Sequence, residues 1–504
     1  MDEVVLATLV AWPWLTVAIV AALSQWRAAA HAAARLAGGM TGAGFVIAVL
    51  AAVLTFATVP THLQIAESSV QLDPLSVLLT MLVLGLSALI QSYAVRYLRG
   101  DPRQGWFVVS AAALTAATVL LVCAASVLVF GVAWLLAGGA LIAALATYPG
   151  LAQAREGVRR TALRFAIADT ALVTGVTIIM VAEGGDRPLS ELESIARALG
   201  EPLGVTVAVL LVVGALARSS QIPFQGWLPF TLASPTPVSA LMHAGVVNAG
   251  AILLVRFSPF ISAHHWVMVM IVLTGGMTLV WASAARLVRP DVKGRLVYST
   301  MAQMGFMIMA CGLGAYAAAI FHLIAHSLYK SSLFLGAGTG VRRHVTQLQQ
   351  PPGEPALGAR RVLAALIAIV VPVTGLIGAE LLLAPAGSPA SMALLAFVAV
   401  AGAITLGSAL NARFTTGTVL AGVGSIVLLI FAYTAFVTGF SAVLEPIPAV
   451  APAPGWLVAF PAAALLIVEV LNRTRASPGL RDRVYTRALT ATTPRLSPAK
   501  GLPR

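Results

Sequence analysis

The sequence predicts an all-α polytopic membrane protein of about fifteen (13–15) transmembrane helices. Three observations carry that prediction. Of the 504 residues, 59% are hydrophobic and only 10% charged, whereas a soluble domain carries roughly 25% charged residues; mean hydropathy is +0.93. Apolar runs near the ~20 residues that a bilayer demands recur from the first residues to about residue 472. The loops between the runs alternate between basic and base-poor. A water-soluble enzyme, a disordered chain and a disulfide scaffold are thereby excluded, since Cys123 and Cys311 are the only cysteines and both lie in apolar context.

Taken in order, each run is bounded by its loops. Met1-Asp2-Glu3 lacks the basic segment of a cleavable signal, so 4–23 reads as a retained first helix. Arg27 and Arg35 separate it from 38–58, and a base-poor stretch leads to 74–94. Arg96, Arg99 and Arg103 follow, then the paired runs 106–123 and 125–147, then Arg155, Arg159 and Arg160. The run 163–182 ends in the net-acidic Glu183–Glu201 loop, beyond which come 203–228, 236–256 and 265–284. Arg286, Arg289, Lys293 and Arg295 precede 296–313 and 315–339; Arg342, Arg343, Arg360 and Arg361 precede 361–384 and 391–410. Arg413, the run 417–440, the proline-rich Glu445–Gly455 stretch, the run 456–472 and a basic tail complete the chain. Cytoplasmic loops carry the excess of Lys and Arg, so the N-terminus is expected outside and the C-terminus inside. Arg256 is the lone exception to the alternation.

A net charge of +13 does not imply nucleic acid, because the charges sit in loops and not on one face. The tail, with Arg473, Arg475, Arg481, Arg483, Arg487 and Arg495, reads as a solvated segment near anionic membrane lipids. There is no nucleotide-binding loop and no Cys/His/Asp cluster with zinc spacing, so no cofactor or metal is expected in this chain.

Ionisable residues inside apolar spans are costly and mark function by default. His322, His326 and Lys330 fall at i, i+4 and i+8 in the 315–339 run, on one helical face within about 12 Å of rise. Histidine titrates near neutral pH, so the stripe reads as a proton relay; the alternative is a polar stripe that only holds helices together. A second set surrounds Arg218, where Pro223 and Pro229 interrupt the 203–228 run. Proline removes a backbone donor, and broken helices in transporters lie at ion sites. His243 stands in the next run. Asp169 is placed to offset Arg218, and Glu380 follows Pro372, which predicts a second interruption in the 361–384 run.

These residues carry a resemblance. Leu72-Asp-Pro-Leu-Ser76, Tyr97-Leu-Arg-Gly-Asp101, the Arg218–Pro229 segment, Pro235-Thr-Pro-Val-Ser-Ala-Leu-Met-His243, Asp291-Val-Lys-Gly-Arg-Leu-Val-Tyr-Ser-Thr300 and Phe321-His-Leu-Ile-Ala-His-Ser-Leu-Tyr-Lys330 resemble the large antiporter-like subunits of respiratory complex I, Mrp antiporters and membrane-bound hydrogenases. Within that family, His243-Ala-Gly-Val-Val-Asn-Ala-Gly250, Gln303-Met-Gly-Phe-Met307 and Cys311-Gly-Leu-Gly-Ala-Tyr316 look like the DabB group, membrane subunits of the DAB inorganic-carbon accumulation complexes. The resemblance implies two inverted five-helix repeats: N-terminal helices 1–105, a first repeat 106–260, a second 261–411, C-terminal helices 412–472 and a tail 473–504.

Three departures stand out. The family usually has a glutamate after the tryptophan of its fifth helix, and this chain has Leu135 after Trp134. Where the family's seventh helix carries lysine, this chain carries Arg218, which cannot release a proton. The lysine expected in the twelfth helix is missing near Gly378-Ala379-Glu380.

The resemblance implies a proton-conducting subunit in a bacterial inner membrane that powers inorganic-carbon uptake and is not itself an enzyme. Its implied partner is a large cytoplasmic DabA-like protein bearing a carbonic-anhydrase-like zinc site. In this reading Lys330, His326 and His322 relay protons, His243 and Glu380 extend the path, and Arg218, Asp169, Pro223 and Pro372 set the field and gating. The competing expectations are a redox-driven pump subunit, a sodium–proton antiporter subunit and a structural scaffold.

Overall fold

A chain that crosses lipid satisfies its backbone N–H and C=O groups within its own segment, and the apolar runs coil accordingly. The computed structural model describes residues 2–57, 69–338, 358–383, 389–412, 414–443 and 450–473, with isolated positions 479, 483 and 486. The Arg342–Arg343 loop, Arg413, residues 445–449 of the Glu445–Gly455 stretch and nearly all of the basic tail lie outside the described residues. Among the described residues there is no strand, only isolated bridges from Val70 to Ala124 and from Ser126 to Pro188.

The helices are α1 (Asp2–Ser24), α2 (Ala30–Ala57), α3 (Pro74–Tyr97), α4 (Gln104–Cys123), α5 (Val127–Leu145), α6 (Ala152–Glu183), α7 (Leu192–Ala198), α8 (Glu201–Arg218), α9 (Thr236–Ala244), α10 (Ala249–Arg256), α11 (Ser258–Ile261), α12 (His265–Val288), α13 (Val292–Gly312), α14 (Tyr316–Leu335), α15 (Ala359–Leu383), α16 (Pro389–Ala412), α17 (Thr416–Val443) and α18 (Ala459–Arg473). Among the described residues, 12 stretches are long and apolar enough to cross a membrane, fewer than the fifteen expected. The three expected runs outside that set are α13, α14 and the segment around α18. The first two are long enough, but Lys293, Arg295, Ser299 and Gln303 on α13, and His322, His326 and Lys330 on α14, lower their hydropathy. The third, Gly455–Glu469, is apolar but short.

Two expected interruptions move. Helix α8 ends at Arg218, and the segment with Pro223 and Pro229 runs on as turns and a 3-10 helix, Leu228–Ala233. Successive prolines deny this stretch its ladder donors, so the helix stops there instead of kinking. Helix α15 passes through Pro372 unbroken, as lipid-embedded helices tolerate where neighbours compensate. The span that does break is 236–256. Its helix stops at Ala244, and Gly245 takes φ −122° and ψ −79°, outside the helical basin. A 3-10 turn, Val246–Asn248, then leads into α10.

Small residues let the inner helices touch. A Cβ on Gly275 of α12 would lie 2.6 Å from the Gly305 carbonyl oxygen of α13, and one on Gly305 would lie 2.6 Å from that of Gly275. One large apolar cluster joins α1 to α14 with parts of α16 and the segment around α18. A second, smaller cluster holds α15, α16 and α17 through Ala364, Ala379, Leu406 and Ile430.

Candidate functional site

Helices α13 and α14 run antiparallel, and their facing residues pair in register. Lys330 Nζ donates to Ser299 Oγ at 2.8 Å, His326 Nδ1 lies 2.7 Å from Gln303 Oε1, and the His322 ring tilts on Phe306 with centroids 4.9 Å apart. The His322 and His326 rings stack at 6.0 Å. Lys330 and His326 are buried and His322 is half-buried. No carboxylate forms an ion pair with Lys330 among the described residues. Among the described residues, the seam is thus a row of proton-carrying groups in which Lys330 and His326 meet a neutral hydroxyl and amide side chain and His322 meets an aromatic ring.

The interrupted span lies against this seam. Ser327, on the turn between His326 and Lys330, donates to the Ala244 carbonyl at 2.8 Å, and Asn248 Nδ2 donates to the same carbonyl at 3.0 Å and to Ser327 Oγ at 2.9 Å. From the other side Ser219 Oγ donates to the Val247 carbonyl at 2.7 Å. Carbonyls near the break are therefore held by side chains of α14 and of the α8 end. His243 stacks flat on Phe334 at 4.5 Å, fully buried, and neither ring nitrogen has a hydrogen-bond partner among the described residues.

Arg218 is a different kind of site. Its Nη2 donates to Asp169 Oδ1 at 2.5 Å and to the Trp134 carbonyl at 3.3 Å, and Trp134 Nε1 donates to the same Asp169 oxygen at 2.9 Å. The guanidinium lies 4.3 Å over the Trp134 ring and 4.2 Å over Phe165. Gly138 makes room for it, because a Cβ there would sit 2.6 Å from Nη1. Leu135 faces outward, 40% exposed, so the carboxylate that meets Arg218 comes from α6.

Not all the predicted residues converge. Glu380 is half-buried beside the small second cluster, and no hydrogen bond or ion pair includes it among the described residues. The structure does not bring it to the α13–α14 seam. Pro372 interrupts no helix, and Pro223 lies in the turns that follow the end of α8. Sequence reasoning also missed Ser299, Gln303, Ser327 and Trp134. Ser299 and Gln303 stand at i and i+4 on α13, a polar pair in an apolar run, and that spacing was the available signal.

Arg256, the exception in the charge pattern, is explained by a partner. It forms a bidentate pair with Asp73, Nη2 to Oδ1 at 3.0 Å and Nη1 to Oδ2 closer still, and Nη2 also reaches the Val122 carbonyl. Asp73 caps α3, accepting from Ser76 N at 2.6 Å. Burial alone would raise the Asp73 carboxyl, but the Arg256 guanidinium and the hydrogen bonds from Arg256 and Ser76 outweigh it and hold it at about 2.

The comparisons agree with this geometry. The family described as NADH:quinone oxidoreductase/Mrp antiporter, TM, matches residues 124–405, and that of NADH-ubiquinone oxidoreductase (complex I), chain 5 N-terminus, matches 62–108. The probable inorganic carbon transporter subunit DabB1 of Halothiobacillus neapolitanus is 36% identical over 55% of this chain and 51% of its own length. DabB2 of the same organism is 32% identical over 78% of this chain and 72% of its own. The chain thus spans about half of one curated relative and nearly three quarters of the other. Among solved structures, the Mrp complex from Dietzia sp. DQ12-45-1b superposes with TM-score 0.56 and 26% identity, over 97% of this chain and 52% of that chain.

Proposed function

Because this chain belongs to the NADH:quinone oxidoreductase/Mrp antiporter family, we propose that it conducts protons through the α13–α14 seam to power inorganic-carbon uptake. The observation that carries the proposal is the row Lys330, His326 and His322, each facing a polar or aromatic residue of α13, beside an interrupted span that carries the buried His243. Such a row passes a proton by rotation and rebonding of side chains and trapped water. Arg218 keeps its proton, so with Asp169 and Trp134 it supplies a fixed field and an anchor for the first half of the bundle. The similarity to DabB subunits points to inorganic carbon as the cargo of the assembly.

In this proposal the chain supplies driving force and its partner supplies chemistry. The partner is a large cytoplasmic DabA-like protein with a carbonic-anhydrase-like zinc site, and the setting is a bacterial inner membrane with the C-terminus inside. The test is purification of the tagged chain from native membranes in mild detergent, with subunits identified and zinc measured. One large zinc-containing partner supports carbon uptake. Several membrane subunits with flavin or iron–sulfur clusters overturn it in favour of a respiratory pump. The likeness to the Mrp complex supports a second reading, a sodium–proton antiporter subunit, which predicts that proton flux depends on sodium.

A further inference from the structure

Away from the α13–α14 seam, a second polar row is buried between α2, α3 and α4. Thr41, Ser87, Gln91, Thr115 and Thr118 are each under 8% exposed. Gln91 Nε2 donates to Ser87 Oγ at 2.9 Å and to Thr41 Oγ1 at 3.3 Å, and Ser87 Oγ lies 2.5 Å from Thr115 Oγ1. The hydrogens of this row are already committed. Thr41 donates to the Ala37 carbonyl, Thr115 to Ala111 and Thr118 to Leu114. Ser87 is therefore the donor to Thr115, and what remains free along the row is acceptor lone pairs, including Oε1 of Gln91, which has no partner among the described residues.

This row opens on a cavity of about 30 Å³. Its lining joins Ser87, Thr115 and Thr118 to Ala244, Gly245 and Val246, the place where the 236–256 span breaks, and the rest of the lining is apolar side chains of α3, α4 and α9. A space of that size admits about two waters, which need a few polar partners to stay, and the three hydroxyl side chains in the lining supply them. Three hydroxyl oxygens offering lone pairs select a guest rich in donors, which means water or its protonated form.

We propose that this cavity is a hydrated branch of the ion path. Water bound by Ser87, Thr115 and Thr118 joins the α3–α4 hydroxyl row to the break that follows His243. The row gives the break a route along α3 toward Gln91, independent of the α13–α14 seam. It also gives the first half of the bundle, where Arg218 cannot release a proton, a polar path of its own. The branch rests on the reading that protons pass this chain.

The test is radiolytic hydroxyl labelling of the full-length protein in its native complex, read by mass spectrometry, with water as the probe. All four belong to the same buried apolar cluster, but Leu114 and Leu241 line the cavity and Leu211 and Leu253 do not. Labelling of the first pair well above the second is expected, with loss of that excess in Ser87→Ala/Thr115→Val. The same variant is expected to lower proton flux several-fold with the complex intact. Equal labelling of the two pairs overturns the water site. Excess labelling with undiminished flux in the variant overturns the branch and leaves structural water. Should the double variant fail to assemble, Ser87→Ala alone, which removes a single donor, is read in the same way. Labelling is independent of cargo, so wild-type protein that labels but moves no protons overturns the proposed function and not the water site.

Discussion

Asn248 and Ser327 stand 79 residues apart in sequence, yet the Asn248 amide donates to the Ser327 hydroxyl at 2.9 Å. That bond ties the broken span to the helix that carries the histidine row, one residue from His326. A change at the break is thereby felt at the seam.

Asn248→Ala removes two hydrogen bonds at this junction. A loss of roughly 1 kcal/mol is expected, since side-chain hydrogen bonds between membrane helices average about 0.6 kcal/mol each. Thermal unfolding in detergent reads the loss, and proton flux is expected to fall because Ser327 sits between His326 and Lys330. A variant with unchanged flux would separate the junction from the path.

Lys330→Ala should abolish carbon-dependent growth while the complex still assembles. Lys330→Arg keeps the charge and reaches the same hydroxyl, but arginine does not release its proton. Both are expected to be inactive if Lys330 hands on a proton. An active Lys330→Arg would show that Lys330 acts only as a fixed charge.

Gly138→Ala places a methyl 2.6 Å from Arg218 Nη1 and must displace the guanidinium from Asp169. Disturbing a buried ion pair is costly, and overpacking typically costs about 1–3 kcal/mol. The midpoint of thermal unfolding should fall accordingly. Adding Arg218→Lys, whose head is smaller, is expected to restore part of the loss, and no restoration would place the strain elsewhere.

Acid should loosen the Asp73–Arg256 junction late. The folded Asp73 carboxyl, at about 2, lies below its ordinary 3.8. Its stabilising contribution is therefore complete above 3.8 and is lost as pH falls through about 2. At most about 2 kcal/mol is at stake. Asp73→Asn should remove that portion of the pH dependence and lower stability at neutral pH; an unaltered acid profile would show that the pair contributes nothing.

The membrane class and most of the spanning helices were legible because hydropathy depends on composition, which neighbours cannot override. The stripe His322, His326 and Lys330 was legible because helical period alone places it on one face. The position of the break was not. Pro223 and Pro372 drew attention as breakers, but one falls after its helix has ended and the other is carried through. The carbonyls at the Gly245 break are held by Ser219 and Ser327, whose bonds exist only once α8 and α14 are in place. The Arg218–Asp169 pair was legible as two opposite charges in apolar runs. Trp134 was not, because an indole in a membrane helix gives no sign of which carboxylate it will meet.

Arg256 and Asp73 also bear on how the chain is made. Synthesis proceeds from the N-terminus, so α3 with its aspartate is inserted well before the arginine at the end of α10 emerges. The counter-charge is already waiting when the arginine arrives, and the late segment can be recognised by ion pairing as well as by hydropathy. Exchanging the two residues, Asp73→Arg with Arg256→Asp, would keep the pair in the finished protein but reverse the order in which its charges appear during biogenesis.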